Sequence, residues 1–307
     1  MSFSSDTKKE LCKVQNLTLT ENFAECYGLL LFCKQFSPQK IVFHTESYSV
    51  ACRFSDLIST SFGAIVEQSS SLTGRHGGGN EFTVTVPLNS DCEKIYTYFG
   101  YTGKEINHRI NRAITEDDSC TSAFLRGAFL SCGSVNNPEK DYHLEYSVPY
   151  KNLCNDLIKT IIDVEQLTYT LKVVQRKGSY VAYLKDSEQI SDFLAFINAP
   201  IASMKIIETK IIKGIRNDAN RKANSEVANI KKTVAAAMEQ INAIEYIKNT
   251  VGLDTLSEDL KELALLRLDN PDLSLRQLGE MLVPPISRSG VNHRMKRLLE
   301  LGKPTEK

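Results

Sequence analysis

Apolar residues recur along this chain at two spacings, and each spacing predicts a different kind of element. Leu153, Leu157 and Ile161 lie four residues apart, which places them on one face of a helix. The stretches FTVTV (82–86) and YVAYL (180–184) alternate with period two, as strands with one buried face do. Residues 1–200 are therefore predicted to form an α+β body.

The pattern of this body occurs twice, in halves of about residues 20–100 and 118–198. An offset of 99 residues aligns four identical pairs, namely Gly28 with Gly127, Leu31 with Leu130, Cys33 with Cys132, and His44 with His143. The element order helix, hairpin, helix, two strands, helix also repeats. In the first half, helices are predicted at 21–33, 50–62 and 89–99, and the two strands at 64–68 and 80–87. In the second half, helices are predicted at 119–132, 150–162 and 187–197, and the two strands at 168–175 and 179–185. A repeat at a fixed period defines the architecture, here a duplicated αββαββα body. The two histidines are expected at equivalent strand positions.

The leading helix of each half is apolar on most of its circumference and has a glycine at its centre. The two segments read AECYGLLLFCK (24–34) and AFLRGAFLSCG (123–133). A helix that is apolar all round is buried, and a mid-helix glycine costs about 1 kcal/mol relative to alanine. Close approach of a second backbone would offset that cost. The two helices are therefore predicted to pack together about a pseudo-twofold axis; the alternative is two unrelated core helices.

A basic segment follows the body, within a helical linker predicted over 201–252. From Lys205 to Lys232 it contains eight Lys and Arg against three Asp and Glu. We interpret five of these cations as phosphate contacts, namely Arg216, Arg221, Lys222, Lys231 and Lys232. A solvated connecting helix is the alternative, and both interpretations can hold at once. The glycine after Val251 is predicted to end the helix.

The C-terminal region, 253–307, shows the pattern of a helix-turn-helix. A first helix follows Thr255 and ends before Asn270 and its proline. Ser274 and Gln277 form a capping box that opens a short helix. The segment VPPIS (283–287) then breaks the chain, and a last helix is predicted at about 288–301. The region is thus predicted to be an all-α domain.

Acidic and basic residues are unevenly distributed along this region, and the basic residues are concentrated around the last predicted helix. Residues 254–285 hold seven acids and three bases, whereas 286–303 hold five bases and one acid. In the last helix Val291, Met295 and Leu298 recur at helical spacing and are expected to face inward. The predicted DNA contacts here are Ser274, Arg276, Gln277, Ser287, Arg288, Ser289, Asn292, His293, Arg294, Lys296 and Arg297. A small helical bundle with a basic outer face is the alternative.

Composition limits what else the chain can be. At 307 residues two or three domains are expected. The formal net charge is zero, so any surface for nucleic acid must be local. None of the eight cysteines forms a CxxC pair, and no apolar run is long enough to span a bilayer. We therefore expect a cytoplasmic, nucleoid-associated protein without metal or cofactor and without a membrane partner.

The glycine-rich run TGRHGGGNEF (73–82) lacks P-loop spacing and is predicted to be a mobile hairpin tip.

The duplicated body resembles the LAGLIDADG homing-endonuclease fold. Of its two glycine-containing helices, the second, FLRGAFLSCGS, matches the LAGLIDADG motif better. The resemblance implies that an acidic residue near the end of each helix would hold a divalent metal in a nuclease. The equivalent positions here are Cys33 and Cys132. Because Mg²⁺ needs carboxylate oxygens, the nuclease chemistry is predicted to be lost, with no catalytic residue. A thiol pair at the axis could suggest redox sensing, but buried structural cysteines fit better.

Essentially the whole chain resembles the WhiA family. The similarity is carried by DLSLRQLGEMLVPPISRSGVNHRMKRL together with the linker RNDANRKANSEVANIKKT and the LAGLIDADG-like body. It implies a transcription regulator that binds double-stranded DNA and acts in sporulation in actinobacteria, or in cell division and chromosome segregation in other Gram-positive bacteria. The alternatives are a metal-dependent DNA endonuclease, and an adaptor whose body binds another protein.

Overall fold

The computed structural model describes residues 2–15, 17–72, 80–164 and 169–303. The chain divides into two compact units, Met1–Lys213 and Gly214–Lys307. The glycine-rich run predicted to be a hairpin tip lies, at 73–79, outside the described residues.

The first unit contains the duplicated pattern. Its helices are α1 (Phe3–Leu11), α2 (Leu19–Leu31), α3 (Tyr48–Phe62), α4 (Asn89–Tyr98), α5 (Asp118–Cys132), α6 (Lys151–Ile162), α7 (Ser187–Phe196) and the start of α8 (Pro200–Thr250). Its strands are β1 (Gln35–Ser37), β2 (Lys40–Thr45), β3 (Glu67–Leu72), β4 (Asn80–Val86), β5 (Gly133–Val135), β6 (Leu144–Val148), β7 (Lys172–Arg176) and β8 (Ser179–Leu184). Both halves therefore have the order helix, two strands, helix, two strands, helix, and the predicted α+β class is confirmed.

Each half builds one antiparallel sheet with the same topology. The strand orders are β1-β2-β4-β3 and β5-β6-β8-β7. The second hairpin of the first half begins later than predicted, since β3 starts at Glu67 rather than near residue 64. All six residues of β3 are exposed. An edge strand with no buried face carries no alternation of apolar residues, which explains the error.

Helices α2 and α5 pack directly on each other, as the glycine pattern predicts. A Cβ atom placed on Gly28 would collide with the Phe124 carbonyl and lie 2.8 Å from the Ala128 nitrogen. A Cβ atom on Gly127 would collide in the same way with the Glu25 carbonyl. The two backbones can approach this closely only because neither glycine has a side chain. One apolar core, drawn from both halves, surrounds the pair.

The expected equivalence of His44 and His143 is wrong. His44 is the last residue but one of β2, whereas His143 immediately precedes the first residue of β6. The cause is the hairpin loop, which consists of residues 38–39 in the first half and of residues 136–143 in the second. This longer loop shifts the register, so the offset of 99 that relates the central helices does not hold for β2 and β6.

The linker predicted at 201–252 is part of one continuous helix, α8. Its first turns belong to the first unit, where Ala202 and Ile206 are part of the core. From Gly214 to Ala236 every residue is exposed. The helix ends at Thr250, and Gly252 follows with φ of +82°. A left-handed backbone is readily adopted by glycine, so this position suits a helix stop.

The second unit consists of the rest of α8 with α9 (Glu258–Asp269), α10 (Leu275–Met281) and α11 (Arg288–Leu301). Its core joins all four helices. Ile244 and Ile247 come from α8, and Leu263 from α9. Leu278 of α10 and Met295 of α11 complete the same cluster. The three C-terminal helices thus lie close to their predicted positions and share one small core with α8.

Candidate nucleic-acid interface

Helices α10 and α11 form the two arms of a helix-turn-helix, and each begins at a side-chain cap. The Ser274 Oγ accepts from the Gln277 backbone nitrogen at 3.4 Å, and the Gln277 Oε1 accepts from the Ser274 backbone nitrogen at 2.9 Å. This is the predicted capping box. Ser287 caps α11 by accepting from the Gly290 nitrogen at 3.3 Å. The caps satisfy backbone groups at both helix starts, which fixes where each helix begins.

The turn between the two helices depends on Gly279. The Ile286 nitrogen donates to the Gly279 carbonyl at 3.0 Å, which ties the end of the turn back to α10. A Cβ atom at position 279 would collide with the Ile286 carbonyl and lie 2.9 Å from a methyl carbon of Val291. The glycine therefore lets α10, the turn and α11 meet at one point.

Arg267 organises the loop before α10, although it is not among the residues predicted to contact DNA. Only 2% of it is exposed. One terminal nitrogen, Nη1, donates to the Leu273 carbonyl at 2.7 Å and to the Pro271 carbonyl at 3.3 Å. A signal was present in the sequence, because Arg267 follows Leu260, Leu263 and Ala264 at helical spacing and so lies on the buried stripe of α9.

The residues of α11 divide into the two predicted faces, with one difference. Val291, Met295 and Leu298 are buried, as expected. Ser287, Arg288, Ser289, Asn292, His293, Lys296 and Arg297 are exposed. Arg294 was expected on the outer face, but its Nη2 lies 3.1 Å from Asp259 Oδ2 of α9, and 25% of its side chain is exposed. The helical position of Arg294 borders the buried stripe, so its long side chain reaches a carboxylate of the same unit.

The cations predicted on the linker lie on the exposed part of α8. Arg216, Arg221, Lys222, Lys231 and Lys232 are all exposed. One of these five, Lys232, lines a cleft of the second unit together with residues of the helix-turn-helix. Ser274, Arg276 and Arg288 line the same cleft. The structure therefore joins one linker cation to three predicted DNA contacts, and leaves the other four on a solvated helix.

Cys33 and Cys132, which are expected to match the metal-binding acids of a LAGLIDADG nuclease, both have raised thiol pKa values. Burial raises the pKa of Cys33 to about 12 and that of Cys132 to about 12. Since a thiol binds metal as the thiolate, neither side chain is a ready ligand near pH 7. Lys8 of α1 donates to the Leu130 carbonyl at 3.1 Å, so a cation of the chain itself already lies near the end of α5.

Within the described ranges, no three His, Cys, Asp or Glu side chains come together in a way that could hold a metal ion. None of the helices described is both long enough and apolar enough to cross a membrane.

Comparisons with known proteins agree with this architecture. Residues 121–216 match the model of the WhiA LAGLIDADG-like domain, and residues 219–302 match that of the WhiA C-terminal HTH domain. The chain is 39% identical over 306 residues to the "Probable cell division protein WhiA" of Ruminiclostridium cellulolyticum, covering 98% of this chain and 97% of that protein. It is 38% identical to the protein of the same name from Thermoanaerobacter sp., with coverage of 99% and 98%.

A solved structure supports the same conclusion. The crystal structure of full-length DUF199/WhiA from Thermatoga maritima matches with a TM-score of 0.60 at 26% identity and covers 98% of both chains. Two domain models are matched in chain order, and the relatives align over nearly their whole lengths. The chain belongs to the WhiA family.

Proposed function

We propose that this protein is a sequence-preferring, DNA-binding transcription regulator that acts in cell division and chromosome segregation, and that its body has lost nuclease activity. The observation that carries the proposal is the division of α11. Three apolar residues hold the helix to its core, which leaves Asn292, His293, Lys296 and Arg297 exposed on its other faces. Asparagine and arginine can each make paired hydrogen bonds to base edges in the major groove.

The cellular role rests on the relatives, which carry the name of probable cell division proteins. The loss of cleavage rests on Cys33 and Cys132, because uncharged thiols neither hold Mg²⁺ nor activate water. A regulator of this kind would work on the nucleoid, and sporulation would be its setting only in an organism that sporulates.

Within α11 the proposal assigns different roles to neighbouring side chains. Asn292 is exposed and reads bases, while Arg294 braces α11 against α9 through Asp259. The remaining exposed cations of the helix, and those of α8, contact phosphates. Phosphate contacts set the position on the duplex, and base contacts set the sequence preference.

The test begins with a genome-wide footprint of the bound protein, which supplies a cognate duplex. We then expect Asn292→Ala to weaken binding to this duplex by about 1–3 kcal/mol and to reduce the preference over a scrambled duplex. Fluorescence anisotropy of the full chain on both duplexes measures the two affinities. Arg297→Gln is the matched comparison on the same helix, and we expect it to weaken both duplexes alike. Equal losses on both duplexes for Asn292→Ala would contradict base reading by α11.

A further inference from the structure

The cleft in the second unit has a volume of about 410 Å³ and is positively charged. Lys232 from α8 lines it together with Arg276 and Arg288 from the helix-turn-helix. Arg267 and Gln240 also line it. Four cationic side chains thus surround one cleft, and no Asp or Glu is among its lining residues.

The guanidinium of Arg267 is the unusual member of this group. The ion pairs of the described part of the second unit join Lys261 with Asp254, Arg276 with Glu280, and Arg294 with Asp259, so none involves Arg267. Its Nε atom is buried and has no hydrogen-bond partner within the described residues. Burial also lowers its pKa from the usual value. Its Nη1 donates to the carbonyls of Pro271 and Leu273, but no carboxylate of the described residues pairs with it. A buried charge without a counter-charge is costly, so this arginine favours an anion beside it.

Gln240 is the second buried polar group at the cleft. It is 6% exposed, and its Oε1 atom has no partner in the described part of the chain. The two atoms of a glutamine amide can exchange places by rotation of the terminal torsion. In that rotated state the amide NH₂ group would take the place of Oε1 and could donate to an acceptor in the cleft.

The exposed cations of the cleft differ in whether a carboxylate pairs with them. Arg276 is held at 3.1 Å by Glu280 on its own helix, which reduces what it can add. Lys232 and Arg288 have no carboxylate partner among the ion pairs of the described residues. Lys232 carries three donors, and Arg288 carries a planar fork that fits phosphate oxygens. A buried guanidinium with one unpaired N–H and two exposed cations without a carboxylate partner among the described residues thus line the same cleft, and this lining suits a small oxyanion.

We propose that this cleft binds one phosphate group, with Arg267 as its buried cation and Lys232 and Arg288 at its mouth, and that the backbone of bound DNA supplies this phosphate. The first part stands on the cleft alone, whereas the source of the phosphate rests on the proposed function. A phosphate held here would fix α8 and the helix-turn-helix of this unit to one point of the duplex backbone.

The first experiment tests the cleft without DNA. Inorganic phosphate is titrated into the full chain while the arginine Nε–H signals are followed by ¹H–¹⁵N NMR. The Arg267 signal is identified by its loss in Arg267→Lys. We expect a saturable shift of this signal with phosphate, no shift with chloride at equal ionic strength, and a weaker response in the Lys232→Gln/Arg288→Gln double variant. The absence of a specific phosphate response would overturn the proposal.

The second experiment asks whether DNA is the source. The salt dependence of duplex binding is measured for the full chain with Lys232→Gln, Arg288→Gln and, as the control, Lys248→Gln, an exposed lysine of α8 outside the cleft. Each cleft variant should reduce the slope of log K against log salt by about 0.9, and the control should change it less. Thermal unfolding confirms that these exposed substitutions leave the fold intact.

The two experiments separate the possible failures. If phosphate binds but the cleft variants match the Lys248→Gln control on DNA, then the backbone is not the source and a free phosphate compound is the ligand. If the wild-type chain does not bind duplex DNA at all, then the proposed function fails, and the phosphate titration still decides whether the cleft is an anion site.

Discussion

Gly279 shows how one missing side chain sets the geometry of the helix-turn-helix. Its backbone carbonyl accepts from Ile286, and the space where a Cβ atom would lie is already filled by the turn and by Val291. The contact is with backbone as well as side chain, so a small rotamer change cannot relieve it. A single methyl group here must push the turn away from α10.

We expect Gly279→Ala to destabilise the second unit by about 1–3 kcal/mol through overpacking. Gly214→Ala is the matched control, since no atom lies within 4 Å of a Cβ placed there. Replacement of an exposed helical glycine by alanine should instead stabilise α8 by about 0.4–1 kcal/mol. Urea unfolding of the full chain measures both. Two substitutions with the same effect would show that the close approach at Gly279 has no energetic role.

At the scale of elements, one buried carboxylate connects three helices of the body. Glu25 of α2 accepts from Arg53 of α3 at 2.8 Å through both oxygens, and from Nε of Arg126 of α5 at 3.0 Å. Glu25 and Arg126 are completely buried. Two guanidinium groups therefore depend on one carboxylate, beside the glycine contact of α2 and α5.

We expect Glu25→Gln to destabilise the body by about 3–5 kcal/mol, because it leaves two arginines without a counter-charge in the core. Glu93→Gln on the exposed surface of α4 removes the same charge and should change stability by less than about 0.5 kcal/mol. The free energy of unfolding in urea is the measurement. If Glu25→Gln costs no more than this control, the three-helix network does not stabilise the fold.

At the scale of the whole molecule, the two units differ in charge and in their candidate functional groups. The chain has a net charge of zero, yet the second unit gathers free cations around one cleft and along α11. With six to ten phosphate contacts, DNA affinity should fall roughly 10³–10⁵-fold between 50 and 200 mM salt. In the first unit, the thiols of Cys33 and Cys132, which are expected to match the acids of a LAGLIDADG nuclease, have raised pKa values.

We therefore expect Mg²⁺ or Mn²⁺ neither to stabilise the protein nor to let it cleave DNA. A site occupied at a hundredfold excess over its dissociation constant would add about 2.7 kcal/mol of stability. Thermal unfolding with and without each metal, and incubation with a supercoiled plasmid, provide the two measurements. Cleavage that is abolished by a substitution in the body would establish the endonuclease alternative.

The sequence by itself determined the features that depend on local chemistry or on periodic burial. Ser274 and Gln277 predicted a helix start because a capping box forms within four residues. The glycines of α2 and α5 predicted close packing because an apolar helix must be buried and a mid-helix glycine needs a reason. The duplication, the strand pattern and the inner face of α11 follow from the same kind of periodicity.

Only the tertiary structure decided which distant groups meet. The longer loop at 136–143 shifts the strand register, so His44 and His143 do not occupy equivalent strand positions. An alignment at a fixed offset cannot detect such a shift. Asp259 lies far from Arg294 in sequence, yet it takes that guanidinium as its partner. Arg267, buried without a carboxylate partner among the described residues, lines the same cleft as Lys232 only because several segments of the second unit converge there. Such contacts depend on how distant elements pack against one another, and the local sequence pattern does not predict this packing.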